Sequence, residues 1–205
     1  LSVYRLNHVH DLQRIGLNRS VKSTGVTDPY WRQVMSRVVF ATGGILRQAR
    51  GHEQVQGFID WLQSVFEAAE TTEGFIDRSR WEKEWGDRVD PHFFDKNKHA
   101  FVAPTLSVLV DLLSVYAFAY NGRHAEALSH RKDWFSMLYW PAYVVWWVSD
   151  DHVPTWEEAW ERLEHLNDNG PSPYAFDYSQ TIDDDGQAVQ LRRNIIQDRA
   201  KSVLS

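Results

Sequence analysis

The chain has 205 residues, of which 43% are hydrophobic and 24% are charged, enough for the core of one domain with appendages. Its formal net charge of −6 argues against nucleic-acid binding through a broad basic surface. The sequence has no cysteine, which excludes disulfides and thiol catalysis, and no run of about 18 apolar residues, so we expect a cytoplasmic protein without a transmembrane helix.

Residues 1–36 are interpreted as an N-terminal extension of the core domain. Residues 3–10 alternate between apolar and polar side chains, a pattern that favours a strand. His8 and His10 would share one face of that strand and could bind a metal, although no further ligand lies in register with them. An alternative interpretation, in which residues 2–10 are the first core strand, stays open on this pattern alone.

A strand and an amphipathic helix open the core. Residues 37–46 read RVVFATGGIL and are predicted to form the first strand, which Gly43 and Gly44 would end or bulge. In residues 55–69 the larger apolar side chains recur at helical spacing, which predicts a helix with one buried face.

A charged loop separates the second and third strands. Residues 75–81 are predicted to form the second strand, although its residues 77–80, which read DRSR, are unusually polar. The loop at 82–98 is long enough to be a lid or a solvated excursion. Residues 101–108 are predicted to form the third strand, at an edge or a bulge, because Pro104 has no N–H to donate to a neighbouring strand.

Two helical segments follow the third strand. Asp111 is suited to cap a helix over residues 112–120, since its short carboxylate can accept from the first free backbone N–H groups. A second segment, over residues 123–135, is predicted to be helical and carries basic residues and histidines.

The strongest local signals lie between residues 143 and 170. Residues 143–148 are all β-branched or aromatic and lie between turn signals, so they are predicted to form a strand buried on both faces. Thr155 is the predicted N-cap of a helix over residues 156–166, whose first turn has two glutamates favoured by the helix dipole. Gly170 and the proline after it end that helix.

The predicted order of elements is β-α-β-β-α-β with an extra helix, the split βαβ unit of ferredoxin-like α+β proteins. Residues 174–179 read as a last extended segment and residues 183–186 as a turn. We therefore divide the chain into an N-terminal extension, an α+β domain over residues 37–187 and a C-terminal tail helix over residues 188–205.

Several short pieces between residues 120 and 176 follow one another in a distinctive order. They are His124-Ala125-Glu126, the run Arg131-Lys132-Asp133-Trp134-Phe135, Trp146-Trp147-Val148, His152-Val153-Pro154-Thr155, and Gly170-Pro171-Ser172-Pro173-Tyr174-Ala175-Phe176. Their order and spacing resemble those of the DUF3291 family of uncharacterised bacterial and fungal proteins. The resemblance covers roughly residues 37–187, and its interval between the first two strands favours residues 37–46 as the first core strand.

This family looks like the dimeric α+β barrel superfamily, in which ferredoxin-like sheets pair face to face. That superfamily includes cofactor-free monooxygenases, haem enzymes and cyclases, so the resemblance implies a fold without choosing a reaction. A sheet covered by helices on one face leaves an apolar second face. A second subunit would cover it economically, and we therefore expect a homodimer.

His124 and His152 are the candidate catalytic residues. His124 follows a glycine near the start of a helix and belongs to the recurring family pattern, and an imidazole is the natural general acid or base near neutral pH. The alternative for His124 is a structural hydrogen bond to a loop carbonyl. His152 ends the Trp-Trp strand, where a structural role in shaping the loop is the stronger interpretation. Haem ligation by either histidine is a further alternative, but no cofactor is predicted.

The candidate substrate-binding residues are one cation and four aromatic side chains. Arg131 could hold an anionic oxygen of a substrate, although an exposed helix face explains it equally simply. The aromatic residues could line a pocket, but the two neighbours in the strand must point to opposite faces, so only one of them can do so. The four are Trp134, Tyr139, Trp146 and Trp147.

These patterns lead to two hypotheses for function. The first is an enzyme that acts on a hydrophobic polycyclic or polyketide-like substrate in an aromatic-lined cavity, by cofactor-free oxygenation or by cyclisation or isomerisation, with His124 moving a proton. The second is a non-catalytic small-molecule-binding or dimerisation protein on the same fold. The spacing of Arg123 and His130 also matches HEPN ribonucleases, but that family requires a four-helix bundle, which the strand at 143–148 contradicts.

Overall fold

A four-stranded antiparallel sheet forms the centre of the computed structural model, which describes residues 36–80, 85–95, 101–120 and 122–191. Its strand order is β2-β3-β1-β4, so β1 and β3 are central. This arrangement confirms the predicted α+β class and is compatible with a ferredoxin-like fold. The strands are β1 (Ser36–Leu46), β2 (Phe75–Arg78), β3 (Phe101–Leu109) and β4 (Tyr143–Ser149).

Helices connect the strands and extend beyond the last one. The predicted helix over residues 123–135 is in fact two helices, because His130 adopts φ −91° and ψ 3° between them. Of the predicted extension (residues 1–36) and tail helix (residues 188–205), residues 1–35 and 192–205 lie outside the described residues. Residue 36 begins β1, and residues 188–191 are not helical, since Ala188 instead forms a β-bridge with Ile182. The helices are α1 (Glu53–Glu70), α2 (Leu112–Tyr120), α3 (Gly122–Ser129), α4 (Arg131–Trp134) and α5 (Trp156–Asn169).

The predicted helix caps are confirmed. The hydroxyl of Thr155 accepts a hydrogen bond from the backbone N–H of Glu158 at 3.1 Å, at the start of α5. Gly170 follows the last residue of α5 with φ 76°, a backbone conformation that glycine adopts without steric cost. At the start of α2, the Asp111 carboxylate accepts from the backbone N–H of Ser114 at 2.7 Å.

Pro104 lies where β3 is locally an edge. The paired residues of β2 and β3 run from Phe75 opposite Leu109 to Arg78 opposite Ser107, so β2 ends before it reaches Pro104. Successive backbone groups of a strand alternate in direction, and the Leu106 carbonyl accepts from the Ser79 N–H on this side. The backbone nitrogen of Pro104 therefore faces the same open side. No described strand lies there that would need an N–H donor from it.

The sheet face that contains Val39 and Trp146, here called the tryptophan face, is covered by α5. Residues of β1, β3 and β4 on this face pack against α5 in one fully buried cluster: Val39, Ala41, Leu106, Val108, Val144 and Trp146 against Trp156, Ala159, Trp160, Leu163 and Leu166. The sequence predicted that this second face would stay open for another subunit. The prediction of an open face is wrong, because the chain's own helix α5 returns across it.

The opposite face contains Val38 and Val145 and is here called the cavity face, after the cavity described below. It is covered by α2 and by the chain after α5. Val38, Phe40 and Val145 of the sheet pack there against Leu112 and Val115 of α2. The predicted extended segment after α5 pairs with β4 through two backbone hydrogen bonds between Val145 and Phe176, at 2.8 and 3.0 Å. These bonds fix the C-terminal segment beside the outer strand.

The described part of the loop between β2 and β3 is attached to α5. Trp85 is buried in the same cluster as the tryptophan face. The indole N–H of Trp160 donates to the Val89 carbonyl at 2.6 Å, and the Glu164 carboxylate accepts from the His92 backbone N–H at 2.7 Å. Trp85 and Pro91 are thus buried against the domain, whereas residues 86–90 between them are exposed, and the two interpretations of the loop stay open.

Candidate functional site

A cavity of about 420 Å³ lies between α1 and the open edge of β3. Its walls combine aromatic and aliphatic side chains of α1 with the small side chains of β3, and arginines stand around it. The lining residues are Arg50, Phe58, Ile59, Leu62, Gln63, Phe66, Arg78, Ser79, Arg80, Arg88, Phe101, Ala103, Pro104, Thr105, Leu106 and Ser107.

The shortness of β2 and the small side chains of β3 create this space. Ala103, Thr105 and Ser107 alternate along β3, so all three point to the cavity face, where none is large enough to reach α1. The Thr105 hydroxyl is paired with that of Thr42 on the neighbouring strand, at 2.7 Å. The floor of the cavity is therefore lined with hydroxyl groups, and its walls are the phenyl rings and aliphatic chains of α1 and β3.

Two arginines at the end of β2 form one side of the cavity. Arg78 stacks its guanidinium over the Phe66 ring at 4.2 Å and binds the Glu70 carboxylate at 2.9 Å. Arg80 lies 2.6 Å from an oxygen of Asp77 and 3.5 Å from Glu70. These ion pairs fix the direction of both side chains.

Two further arginines, Arg50 and Arg88, come from the loops after β1 and β2. Arg50 stands over the Phe101 ring at 5.4 Å, and Arg88 stands over the Trp156 ring at 5.0 Å. Partial burial lowers the pKa of the Arg88 guanidinium, and the positive charge of Arg50 lowers it further. The two cations are therefore close enough to repel each other.

His124 is partly buried on α3 and does not line this cavity. Its Nδ1 lies 2.9 Å from the Ala119 carbonyl oxygen, and its ring packs against Phe118 at 4.6 Å between centroids. A carbonyl can only accept, so Nδ1 carries the proton and Nε2 has the free lone pair. Burial lowers the pKa of His124 despite the opposing effect of this hydrogen bond, so the neutral ring is favoured and Nε2 is unprotonated but a weaker base than in an ordinary histidine.

His152 takes part in a network centred on Glu158. The Nε2 atom of His152 lies 2.7 Å from one carboxylate oxygen of Glu158. The other carboxylate oxygen accepts from the indole N–H of Trp146 at 3.0 Å and from Arg162 at 2.9 and 3.0 Å. This network joins the end of β4 to α5, which is the loop-shaping role considered for His152.

The structure does not bring the five predicted substrate-binding residues together. Trp146 is fully buried on the tryptophan face, whereas Trp147 lies on the cavity face and donates its indole N–H to the Ile182 carbonyl at 2.8 Å. Trp134 packs against Phe58 and Trp61 of α1, Arg131 is exposed, and Tyr139 exposes 91% of its surface. None of the five lines the cavity, and their predicted binding roles stay predictions.

A cluster of tyrosines lies on the cavity face beside α2. Tyr178 packs against Tyr116, Tyr120 and Tyr143 with ring centroids 4.1, 5.4 and 4.8 Å away. The Tyr178 hydroxyl is buried and has no hydrogen-bond partner in the described part of the chain, and burial raises the pKa of this hydroxyl strongly. Phe40 stacks on the same ring at 6.3 Å, so the cluster fills its space with aromatic carbon.

Sequence reasoning missed the arginines that stand around the cavity. The polar run DRSR in the predicted second strand was a signal, because Arg78 and Arg80 are two residues apart and share one side of an extended chain. Arg50 and Arg88 have no comparable local signal. They reach the cavity only because two loops, far apart in the sequence, meet at the open edge of β3.

The described ranges have neither a metal-ion site nor a membrane-spanning helix. No three histidine, aspartate or glutamate side chains there are grouped so that they could hold a metal ion. None of the helices that the structure describes combines the length and hydrophobicity needed to cross a membrane.

The comparisons with known proteins give one family match. The family described as "Domain of unknown function (DUF3291)" matches residues 38–192. No curated protein matches the chain. Among solved structures, a conserved protein from Methanosarcina mazei is similar at 15% identity, over 58% of this chain and 96% of that one, with a TM-score of 0.36. A protein of unknown function from Nitrosomonas europaea is similar at 12% identity, over 58% and 93% of the two chains, with a TM-score of 0.38.

Proposed function

The chain belongs to the DUF3291 family, and from this premise we propose that it is an enzyme that binds a hydrophobic small molecule in the cavity beside β3. The substrate is polycyclic or polyketide-like, and the reaction is a cofactor-free oxygenation or a cyclisation or isomerisation. His124 acts as the general base or acid.

The observation that supports this proposal most is the cavity itself. Its volume of about 420 Å³ falls within the range of about 300–1,000 Å³ that is usual for small-molecule sites. None of the described tryptophans lines it, and hydroxyl, amide and guanidinium groups converge on its phenyl and aliphatic walls. A few polar groups around an apolar space are what orient a ligand.

The proposed chemistry begins with proton abstraction from an acidic carbon of the substrate by Nε2 of His124. In an oxygenation, the carbanion transfers an electron to dioxygen, the resulting radical and superoxide combine and take back the proton from His124 as a hydroperoxide, and loss of water leaves a carbonyl group. In a cyclisation, the carbanion attacks a carbonyl group within the same molecule, and the alkoxide formed takes back the proton. Fixed guanidinium groups would stabilise the charge that develops on the substrate oxygen. Because His124 is outside the lining, the substrate has to extend beyond the cavity towards α3.

A non-catalytic binding protein is the alternative, and one observation favours it. Among its described lining residues the cavity has hydroxyls, an amide and arginines, but no histidine, carboxylate, lysine or tyrosine that could exchange a proton near neutral pH. A protein that only binds and releases its ligand needs no such group.

A homodimer is also part of the proposal, although α5 occupies the face first expected to form it. A dimer would have to use another surface, and the loop before β4 offers one, since Met137 exposes 82% and Tyr139 91% of its surface. Sedimentation of the wild type and of Tyr139→Asp at micromolar concentration tests this. A monomeric wild type rejects the dimer.

Turnover of an anthrone, a polycyclic carbon acid, tests the catalytic proposal. We expect oxygen uptake or a rearranged product with the wild type, and a rate lower by roughly two to four orders of magnitude in His124→Ala, with little change in melting temperature. His92→Ala, at an exposed histidine outside the cavity, is the control and should keep full turnover.

Three outcomes decide between the two functions. Loss of turnover in a folded His124→Ala supports the catalytic role. Full turnover in a destabilised His124→Ala rejects it, because a structural histidine would behave in that way. Binding of the anthrone by the wild type without any conversion supports the non-catalytic alternative.

A further inference from the structure

We propose that the cavity binds an uncharged polycyclic ligand with a hydrogen-bonding group at each end, one held by the Ser107 hydroxyl and the other by the Pro104 carbonyl oxygen of β3. A backbone carbonyl only accepts, so the ligand group at Pro104 is a hydroxyl or an N–H. The group at Ser107 is a carbonyl, which the proposed proton abstraction also requires. This inference rests on the proposed small-molecule function and adds the chemical class of the ligand.

The Ser107 hydroxyl is the first argument. Ser107 exposes only 7% of its surface and lines the cavity, and its hydroxyl makes no hydrogen bond within the part of the chain that the structure describes. Unlike the Tyr178 hydroxyl, it is not sealed off from solvent, so it is reached through the cavity. Buried polar groups are nearly always bonded, and one that faces a cavity without a partner marks a place where a ligand supplies the bond.

The Pro104 carbonyl oxygen is the second argument. Gly43, opposite Pro104 on β1, donates its N–H to the Ala142 carbonyl, away from β3, so Gly43 and Pro104 are a non-hydrogen-bonded pair. The Pro104 carbonyl therefore points away from β1, to the side that β2 leaves open beyond Arg78. Pro104 lines the cavity, and no donor in the described ranges bonds to its oxygen.

The guanidinium groups at the end of β2 are already paired, which favours an uncharged ligand. Arg78 donates to the Glu70 carboxylate at 2.9 Å and to the Ser79 carbonyl at 3.5 Å. Arg80 donates to the Asp77 carboxylate at 2.6 Å. A carboxylate or phosphate ligand would have to displace these partners and would also meet the electronegative carbonyl oxygen of β3. A ligand with hydroxyl and carbonyl groups requires neither.

The spacing of the two groups sets the size of the ligand. Ser107 and Pro104 are three residues apart, so their Cα atoms are about 10 Å apart at a strand rise of about 3.3 Å per residue. Two or three fused rings with a polar group at each end cover a similar length, whereas a single ring is too short. Phe58, Leu62 and Phe66 of α1 provide the apolar wall for such rings.

Three uncharged naphthalene derivatives test both ends of the site. 6-Acetyl-2-naphthol has a hydroxyl and a carbonyl group at opposite ends, 2-acetylnaphthalene lacks only the hydroxyl, and 2-naphthol lacks only the acetyl group. In calorimetric titrations of the wild type, we expect the loss of either group to weaken binding by at least about tenfold, because a buried protein group then stays unpaired.

A variant of Ser107 tests its end of the site separately. Ser107→Ala should bind 6-acetyl-2-naphthol about tenfold more weakly and 2-naphthol as the wild type does, because only the first compound has a carbonyl for the hydroxyl. Its melting temperature should not fall, since the hydroxyl has no partner within the described residues. Ser129→Ala removes an exposed hydroxyl of α3 outside the cavity and should change neither affinity.

Cavity-filling variants locate the binding. Ala103→Phe fills the cavity from β3 and should weaken the binding of all three compounds. Gln63→Trp fills it from the exposed side of α1, so it gives the same test if Ala103→Phe fails to fold.

The outcomes separate this inference from the function on which it rests. If 2-acetylnaphthalene binds the wild type as tightly as 6-acetyl-2-naphthol, or if Ser107→Ala binds 6-acetyl-2-naphthol as the wild type does, the inference is overturned and small-molecule binding stands. If none of the three compounds binds, or if filling the cavity changes no affinity, both the inference and the proposed function are overturned. The comparison of the three compounds on the wild type needs no variant, so it decides even if Ser107→Ala fails to fold.

Discussion

The two faces of the sheet differ in how they are filled. On the tryptophan face, Trp146 of β4 meets Trp156 and Trp160 of α5, and the space between sheet and helix is closed. On the cavity face, the residues of β3 opposite α1 are Ala103, Thr105 and Ser107, and a cavity of about 420 Å³ stays open.

Side-chain volume and strand length explain the difference. The ring of Trp160 reaches so close to the sheet that a Cβ atom at Gly43 would lie 3.1 Å from it. On the other face α1 lies over a strand that has lost its outer neighbour, because β2 ends at Arg78. The stability of this domain is therefore expected to depend mainly on the tryptophan face, and ligand binding on the cavity face.

The largest expected effect comes from Trp160→Ala. Trp160 is almost fully buried and donates to the Val89 carbonyl, so its removal leaves a large void and should lower the free energy of unfolding by about 3–5 kcal/mol. The control is Phe101→Ala on the cavity face, where the ring borders an existing space and less than half of that loss is expected. Urea unfolding measures both, and equal losses would contradict the comparison.

Glu158→Ala should give the next largest effect. It leaves the indole N–H of the fully buried Trp146 without its acceptor and removes the partner of Arg162, for a loss of about 1–3 kcal/mol. Glu161→Ala, at an exposed position of the same helix, should stay within about 0.5 kcal/mol of the wild type. The same unfolding experiment decides, and a negligible loss in Glu158→Ala would show that the network does not join β4 to α5.

The free energy of unfolding should depend on pH through His124. Burial lowers the pKa of His124 below the 6.5 of an ordinary histidine, so the unfolded chain binds the proton more readily. The contribution of the neutral ring to stability is therefore complete above pH 6.5 and is lost on acidification below it, by at most about 1.4 kcal/mol per pH unit. His124→Gln should lack this increment, and identical stability profiles for both proteins between pH 7 and pH 5 would refute the assignment.

The smallest effect, and one of opposite sign, is expected for Tyr178→Phe. The Tyr178 hydroxyl is buried without a partner in the described part of the chain, so its removal should be neutral or should stabilise by up to about 1 kcal/mol. Tyr143→Phe is the control, because its hydroxyl accepts from the Tyr178 backbone N–H at 3.3 Å and its loss should cost about 0.5–1.5 kcal/mol. Melting temperatures of both variants test the pair, and a clear loss in Tyr178→Phe would reveal a partner for that hydroxyl.

Local sequence was sufficient for the elements with strong local signals. The strand at 143–148 and the helix capped by Thr155 are present with bounds close to those predicted, because β-branched crowding and N-cap hydrogen bonds act over a few residues. The break at His130 was not predictable from spacing. The residues on either side of it are helical, and only the packing of α3 and α4 against α1 decides where the chain turns.

The candidate site was less accessible to sequence reasoning. The four candidate aromatic residues lie between positions 134 and 147 of the sequence, but strand alternation sends Trp146 and Trp147 to opposite faces and the loop leaves Tyr139 exposed. The cavity is instead built from α1, the end of β2, the start of β3 and two loops. Residues so distant in the chain become neighbours only through the sheet pairing, which no local pattern specifies.

The sequence by itself determined that β4 would be buried on both faces, because residues 143–148 contain no polar alternation. It did not determine what would cover each face. The tertiary structure decided that α5 closes one of them and that α1, facing small side chains beside a shortened β2, leaves space on the other. The physical reason is that burial is a property of each residue's own polarity, whereas the partner that buries it is chosen by the packing of the whole chain.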